Sequence, residues 1–188
     1  MKLILRIIAL ILVFIIICIK MLGDSTKRAF AEQNCKKGSV EGCLEAGLIF
    51  NDSKNRAHNY EKAAEYFIKA CEKGASKGCY ELAWLYNFGD GVQKDLVKSN
   101  ELLKTTCDAQ YALACYALGT NYANGHGIVE DKVKAFDLYV KSCEYGHAFA
   151  CYQAALKIEK GEGVEANTQK AAEYYDRGCK GGEPLSCK

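Results

Sequence analysis

Apolar residues follow two patterns along this chain. Ile7 to Ile19 is an unbroken apolar run of thirteen residues. Beyond it, apolar positions thin out to roughly helical spacing. Tyr116, Leu118 and Tyr122, with Gly119 among them, predict a helix over about Cys115 to Asn124. Val133, Phe136, Leu138, Tyr139 and Val140 predict a second over about Asp131 to Glu144, with Asp131 placed to cap its N-terminus. Between the two lies a glycine pair followed by an aliphatic residue, Gly125, Gly127 and Ile128. The first glycine suits the left-handed conformation that ends a helix, and the aliphatic residue pins the loop to the core.

The same pattern recurs as Gly89, Gly91 and Val92 and as Gly161, Gly163 and Val164. The first unit carries Ser53, Asn55 and Arg56 there instead, so its loop is expected to be the loosest. Cysteines set the ruler. Cys35, Cys71, Cys107, Cys143 and Cys179 stand 36 residues apart, and each has a partner eight residues on: Cys43, Cys79, Cys115, Cys151 and Cys187. Counted from the second cysteine of each pair, the units run 43–78, 79–114, 115–150 and 151–186, inside a repeat domain spanning 35–187. A fixed period of this length predicts an all-α stack of helical hairpins.

Eight residues of continuous helix would hold two α-carbons about 12 Å apart, against the roughly 4.4–6.8 Å that a disulfide tolerates. A bridge between neighbours therefore needs the chain to reverse. Glycines bracket such a reversal in "CKKGSVEGC" and "CEKGASKGC". Five local bridges follow: 35–43, 71–79, 107–115, 143–151 and 179–187. Metal binding is the rival reading. Seven residues between cysteines is not zinc spacing, and His58, His126 and His147 complete no cluster, so neither a metal nor another cofactor is expected. Bridges within each repeat imply an oxidising compartment, either the periplasm or the outside of the cell.

The N-terminus agrees with export. Lys2 and Arg6 precede the apolar run, and Ala29-Phe30-Ala31 has the small-x-small pattern of a cleavage site, so residues 1–31 read as a signal peptide. The charged stretch from Lys20 to Arg28 is long for such a segment. That leaves open an uncleaved anchor reaching Leu22, the one route to a membrane. Lipidation of Cys18 is disfavoured by Ile17 before it. Without residues 1–31 the chain keeps 20 basic and 22 acidic side chains, a net charge of −2. It has no basic stripe, so nucleic acid is excluded as a partner. The mature length is one domain's worth, and a monomer is expected.

The segment "LGTNYANGHGIVEDKVKAFDLYVKSC", with the recurring doublets Lys62-Ala63, Lys98-Ser99, Lys134-Ala135 and Lys170-Ala171, resembles a Sel1-like repeat, a relative of the tetratricopeptide repeat. The cysteine staple is similar to that of the Helicobacter cysteine-rich proteins. The resemblance implies a right-handed superhelix of α/α hairpins, export, a concave groove, and penicillin binding with weak β-lactamase character. A serine β-lactamase needs its nucleophile one helical turn from a lysine, as in S-x-x-K. None of Ser25, Ser39, Ser53, Ser76, Ser99, Ser142 and Ser186 has a lysine three places on. No catalytic residue is therefore assigned. Hydrolysis of penicillins and cephalosporins stands as the alternative that the resemblance alone supports.

Binding is the main expectation. Positions on the first helix that vary between units are candidates for recognition. They are the columns Glu45, Glu81, Ala117 and Gln153; Ile49, Leu85, Asn121 and Lys157; and Asp52, Phe88, Asn124 and Lys160. Residues three or four apart share a helix face. Glu81, Leu85, Phe88, Asn121, Asn124, Lys157 and Lys160 thus form the predicted groove, for a peptide, a muropeptide or a protein segment. The same columns also read as a solvated face. Trp84 reads as core rather than as a ligand platform.

Overall fold

The computed structural model describes residues 23, 25–55 and 58–187. The apolar run, Cys18 and Arg56 lie outside them. Helix α1 spans 25–36. Then follow α2 (Val40–Asn51), α3 (Tyr60–Glu72), α4 (Ser76–Phe88), α5 (Leu96–Asp108), α6 (Ala112–Asn124), α7 (Lys132–Glu144), α8 (Ala148–Lys160), α9 (Thr168–Lys180) and a 3₁₀ turn, Pro184–Ser186. The described residues contain no strand. Each helix packs on its neighbours in sequence, and the hairpins stack into a right-handed superhelix.

Helix ends follow from local chemistry. Asn59, Asp95, Asp131 and Asn167 each accept a hydrogen bond from the backbone N–H three residues on, at 2.9 Å. These are N-caps that satisfy orphan donors of α3, α5, α7 and α9. The donors are the lysines of the Lys-Ala/Ser doublets. Lys62, Lys98 and Lys134 lay their ammonium groups over Phe50, Tyr86 and Tyr122 of the preceding helix. The small partner that follows is buried, as Ala63, Ser99, Ala135 and Ala171, because a helix crosses closely there. Gly89, Gly125 and Gly161 end α4, α6 and α8 at φ 83, 66 and 70°. The second glycine has a different reason. A Cβ on Gly91 would overlap the backbone of Tyr60, and one on Gly163 that of Lys132. Each loop thus sits directly on the start of the preceding unit's second helix.

The first helix of the third unit begins at Ala112, three residues before the predicted start. Tyr111 takes the cap position, with no side-chain hydrogen bond to announce it. All five local disulfides are present, with Cα–Cα separations of 4.4–4.8 Å. They do not close within a hairpin. Cys71 ends α3 and Cys79 lies in α4, so a bridge ties one hairpin to the next.

Helix α1 occupies the place of a second helix before the first hairpin. Ala31 is 0% exposed in the core beside Phe50 and Tyr66. Tyr66 Oη donates to Glu32 Oε1 at 3.2 Å. The expected cut after Ala31 falls inside this helix. No helix of the described residues is long and apolar enough to cross a membrane.

Candidate functional site: the aromatic groove

Helices α2, α4 and α6 and the start of α8 border one continuous surface, along which neighbouring cavities share Tyr80 and Trp84. A cavity of about 410 Å³ opens there between α4, α6 and the start of α8. Tyr80, Trp84, Tyr116 and Phe149 wall it, and Ser99 and Leu103 lie at its base. The aromatic rings are placed by helical spacing: Tyr80, Trp84 and Phe88 stand four residues apart along α4. Trp84 stacks on Phe88 at 5.4 Å with 11° between planes and meets Tyr80 edge-on. Tyr116 is met edge-on by His147 at 5.1 Å and by Phe149 at 5.6 Å.

Amides supply the polar part. Asn121 Nδ2 donates to Asn100 Oδ1 at 2.7 Å, and Asn100 Nδ2 donates to the His126 carbonyl at 3.0 Å. His126 Nε2 lies 3.1 Å from Asn87 Oδ1. The chain fixes both rim amides, Asn87 and Asn121, in orientation. Each keeps hydrogen-bonding capacity beyond these contacts. Burial against the aromatic wall lowers the His147 pKa below the usual histidine value, with Glu183 opposing, and so favours the neutral ring. Burial likewise raises the Tyr80 and Tyr116 hydroxyls above the usual range. Ser99 borders the cavity, but its hydroxyl donates to the Ala83 carbonyl at 2.8 Å.

A second cavity, of about 390 Å³, continues the groove between α2 and α4, bordered by Asn51, Tyr60, Glu81 and Asp90. The two share Tyr80 and Trp84. Burial raises the Glu81 carboxyl above the usual range, with Lys77 opposing.

The predicted groove residues are scattered across this surface. Asn121 borders the larger cavity, and Glu81, Leu85 and Phe88 border the smaller. Leu85 is only 3% exposed and belongs to the core as much as to the groove floor. Asn124 is exposed and donates back to the Thr120 carbonyl of its own helix. Lys157 is ion-paired with Glu162 at 2.5 Å, and Lys160 is exposed. Neither lysine borders either of these two cavities. Trp84, expected in the core, is 38% exposed and stands between the two cavities. Tyr80, Asn87, Tyr116, His126, His147 and Phe149 were not among the predicted residues. Tyr80, Tyr116 and Tyr152 recur every 36 residues, a regularity that suggests packing alone.

A Sel1 repeat family model matches residues 40–74, 76–111, 112–147 and 148–183. The chain belongs to the Sel1 repeat family. Its repeats are counted there from the first residue of α2, α4, α6 and α8, three residues before the cysteine-based units. No curated protein matches the chain by sequence. Among solved structures, a Sel1 repeat protein from Oxalobacter formigenes is 23% identical, with TM-score 0.73 over 80% of this chain and 62% of its own. A protective antigen of uropathogenic Escherichia coli with the same repeat fold is also 23% identical, with TM-score 0.79 over 85% of this chain and 34% of its own. This Sel1 chain thus spans less than two thirds of either. The Helicobacter pylori cysteine-rich protein B is 28% identical, with TM-score 0.57 over 69% of this chain and 93% of its own. Five bridges and this last likeness indicate an extracytoplasmic protein.

Proposed function

We propose that this Sel1 repeat protein is an exported binding scaffold, periplasmic or secreted, whose concave groove holds an extended peptide or muropeptide-like segment of a partner. Repeat stacks create such surfaces because each unit adds an equivalent column. The observation that carries the reading is the cavity of about 410 Å³, where large aromatic faces adjoin the oriented amides of Asn87 and Asn121. Aromatic walls bury an apolar side chain, and carboxamides pair with a peptide backbone in both senses. At the fourth unit, Lys157 is already paired, and Lys160 supplies the exposed positive charge for an anionic part of the ligand.

The test is equilibrium binding to an array of extended pentapeptides and to purified muropeptides. The wild-type domain is compared with an Asn121→Ala, Tyr116→Ala double variant. Ligands found with the wild type should lose at least tenfold in affinity in the variant while its helical circular dichroism stays intact. Unchanged affinity would place the site off the concave face.

A further inference from the structure

The two groove cavities are the same place in successive repeats, and they differ in charge. The smaller is bordered by Asn51, Tyr80, Glu81, Trp84 and Asp90. Thirty-six residues on, the larger has Asn87, Tyr116, Ala117, Thr120 and His126. Two carboxylates have thus been exchanged for a methyl group and an imidazole. No Asp, Glu, Lys or Arg borders the larger cavity. In the smaller, neither Glu81 nor Asp90 enters an ion pair among the described residues. Tyr60, Tyr80, Trp84 and Phe88 supply aromatic walls beside Asn51 and Leu85, and Trp84 and Phe88 are 38% and 59% exposed. Aromatic faces attract a cation lying within about 6 Å of the ring, most strongly for tryptophan. Carboxylates beside them make the same space electrostatically complementary to a positive group.

We propose that the cavity between α2 and α4 binds the side-chain ammonium of an extended ligand, while the cavity between α4 and α6 takes an apolar side chain of the same ligand. This rests on the peptide-groove reading and specifies its ligand. Equivalent columns of packed helices lie roughly 8–10 Å apart, and a ligand in polyproline-II conformation advances about 3.1 Å per residue with three residues per turn, so residues three apart share a face. The two anchors are therefore about three residues apart, with Trp84 forming a wall of both. Burial already disfavours the charged form of Glu81, and an ammonium docked beside it restores a partner for that charge. Lys77, exposed and one turn earlier on α4, does so only in part.

The probes are N-acetylated, C-amidated tetrapeptides of sequence Lys-Ala-Ala-Phe and its reverse, each with and without acetylation of the lysine ammonium. Binding to the oxidised domain is read by calorimetry and by the fluorescence of Trp84, the single tryptophan. One order of the free-amine peptide should bind at least tenfold tighter than its acetylated form. Glu81→Gln should abolish that preference without changing binding of the acetylated peptide, and Asp90→Asn should reduce it. Equal binding of free and acetylated peptides, or a preference that survives Glu81→Gln, overturns the ammonium site and leaves the groove standing. No heat and no change at Trp84 with any probe at millimolar concentration overturns both.

Discussion

Gln110 is the one described residue other than glycine with a positive φ, at 63°. It sits in the turn between α5 and α6, where the other units place Gly38, Gly74, Gly146 and Gly182. The left-handed region costs a residue with a Cβ roughly 1–2 kcal/mol, partly offset by the greater freedom glycine has when unfolded. Gln110→Gly should therefore stabilise the domain by roughly 0.5–1 kcal/mol, measured as a shift in urea midpoint. A loss of stability would mean that the glutamine makes a compensating contact. His147 gives the residue scale a pH dependence. Burial depresses its folded pKa below the ordinary 6.5, so its contribution is full above 6.5 and is lost as pH falls through the folded value. Glu81, with a raised folded pKa, works in the opposite sense: its contribution is present at low pH and lost as pH rises. Comparison of wild type with His147→Gln at pH 7.5 and 5.5 isolates the histidine. The wild type should lose more stability on acidification, by under about 1 kcal/mol because the ring is half exposed. Equal losses would contradict the assignment.

At the scale of the element, the second helices were legible and the first helices less so. Asp131 marks the start of α7 because a capping carboxylate has a chemical signature, whereas Tyr111 at the start of α6 has none. Helix α1 has the least legible boundary. Its residues Ala29 to Ala31 read as a cleavage site, yet Ala31 is buried against the first hairpin. A stack needs its terminal units covered, and α1 covers the first. A chain beginning at Ser25 should thus melt higher than one beginning at Glu32, by roughly 2–4 °C for each kcal/mol lost. Identical thermal transitions by circular dichroism would show that the early turns of α1 add nothing to the fold.

For the whole molecule, the 36-residue grid is readable because the helix caps, the small residues at helix crossings and the bridges repeat with it. The bridges carry the period from hairpin to hairpin: Cys35, Cys43, Cys107, Cys115, Cys143 and Cys151 are buried. In the chain-entropy account each short loop contributes about 2–3 kcal/mol. Reduction under native conditions should therefore lower the melting temperature further than any single buried alanine substitution, read by calorimetry with and without reductant. A transition unmoved by complete reduction would contradict the staple role. The groove was harder to read for the same reason that the fold was easy. Variation between units pointed to Asn121 and Glu81. The recurring tyrosines Tyr80 and Tyr116 both pack and line the cavities, so recurrence concealed their second role. Leu85 shows the converse, since its column varies while the residue itself is core. Phe149 and His147 reach the cavity from the next hairpin, a junction that no single repeat displays.

The most direct test of the groove is a nuclear magnetic resonance titration of the oxidised, ¹⁵N-labelled domain with a peptide or muropeptide selected by the binding array. Shifts should concentrate at the Trp84 indole and at the side-chain amides of Asn87 and Asn121, with the α5 and α7 backbones unmoved. Shifts centred on α5 and α7, with the Trp84 indole unchanged, would contradict that placement.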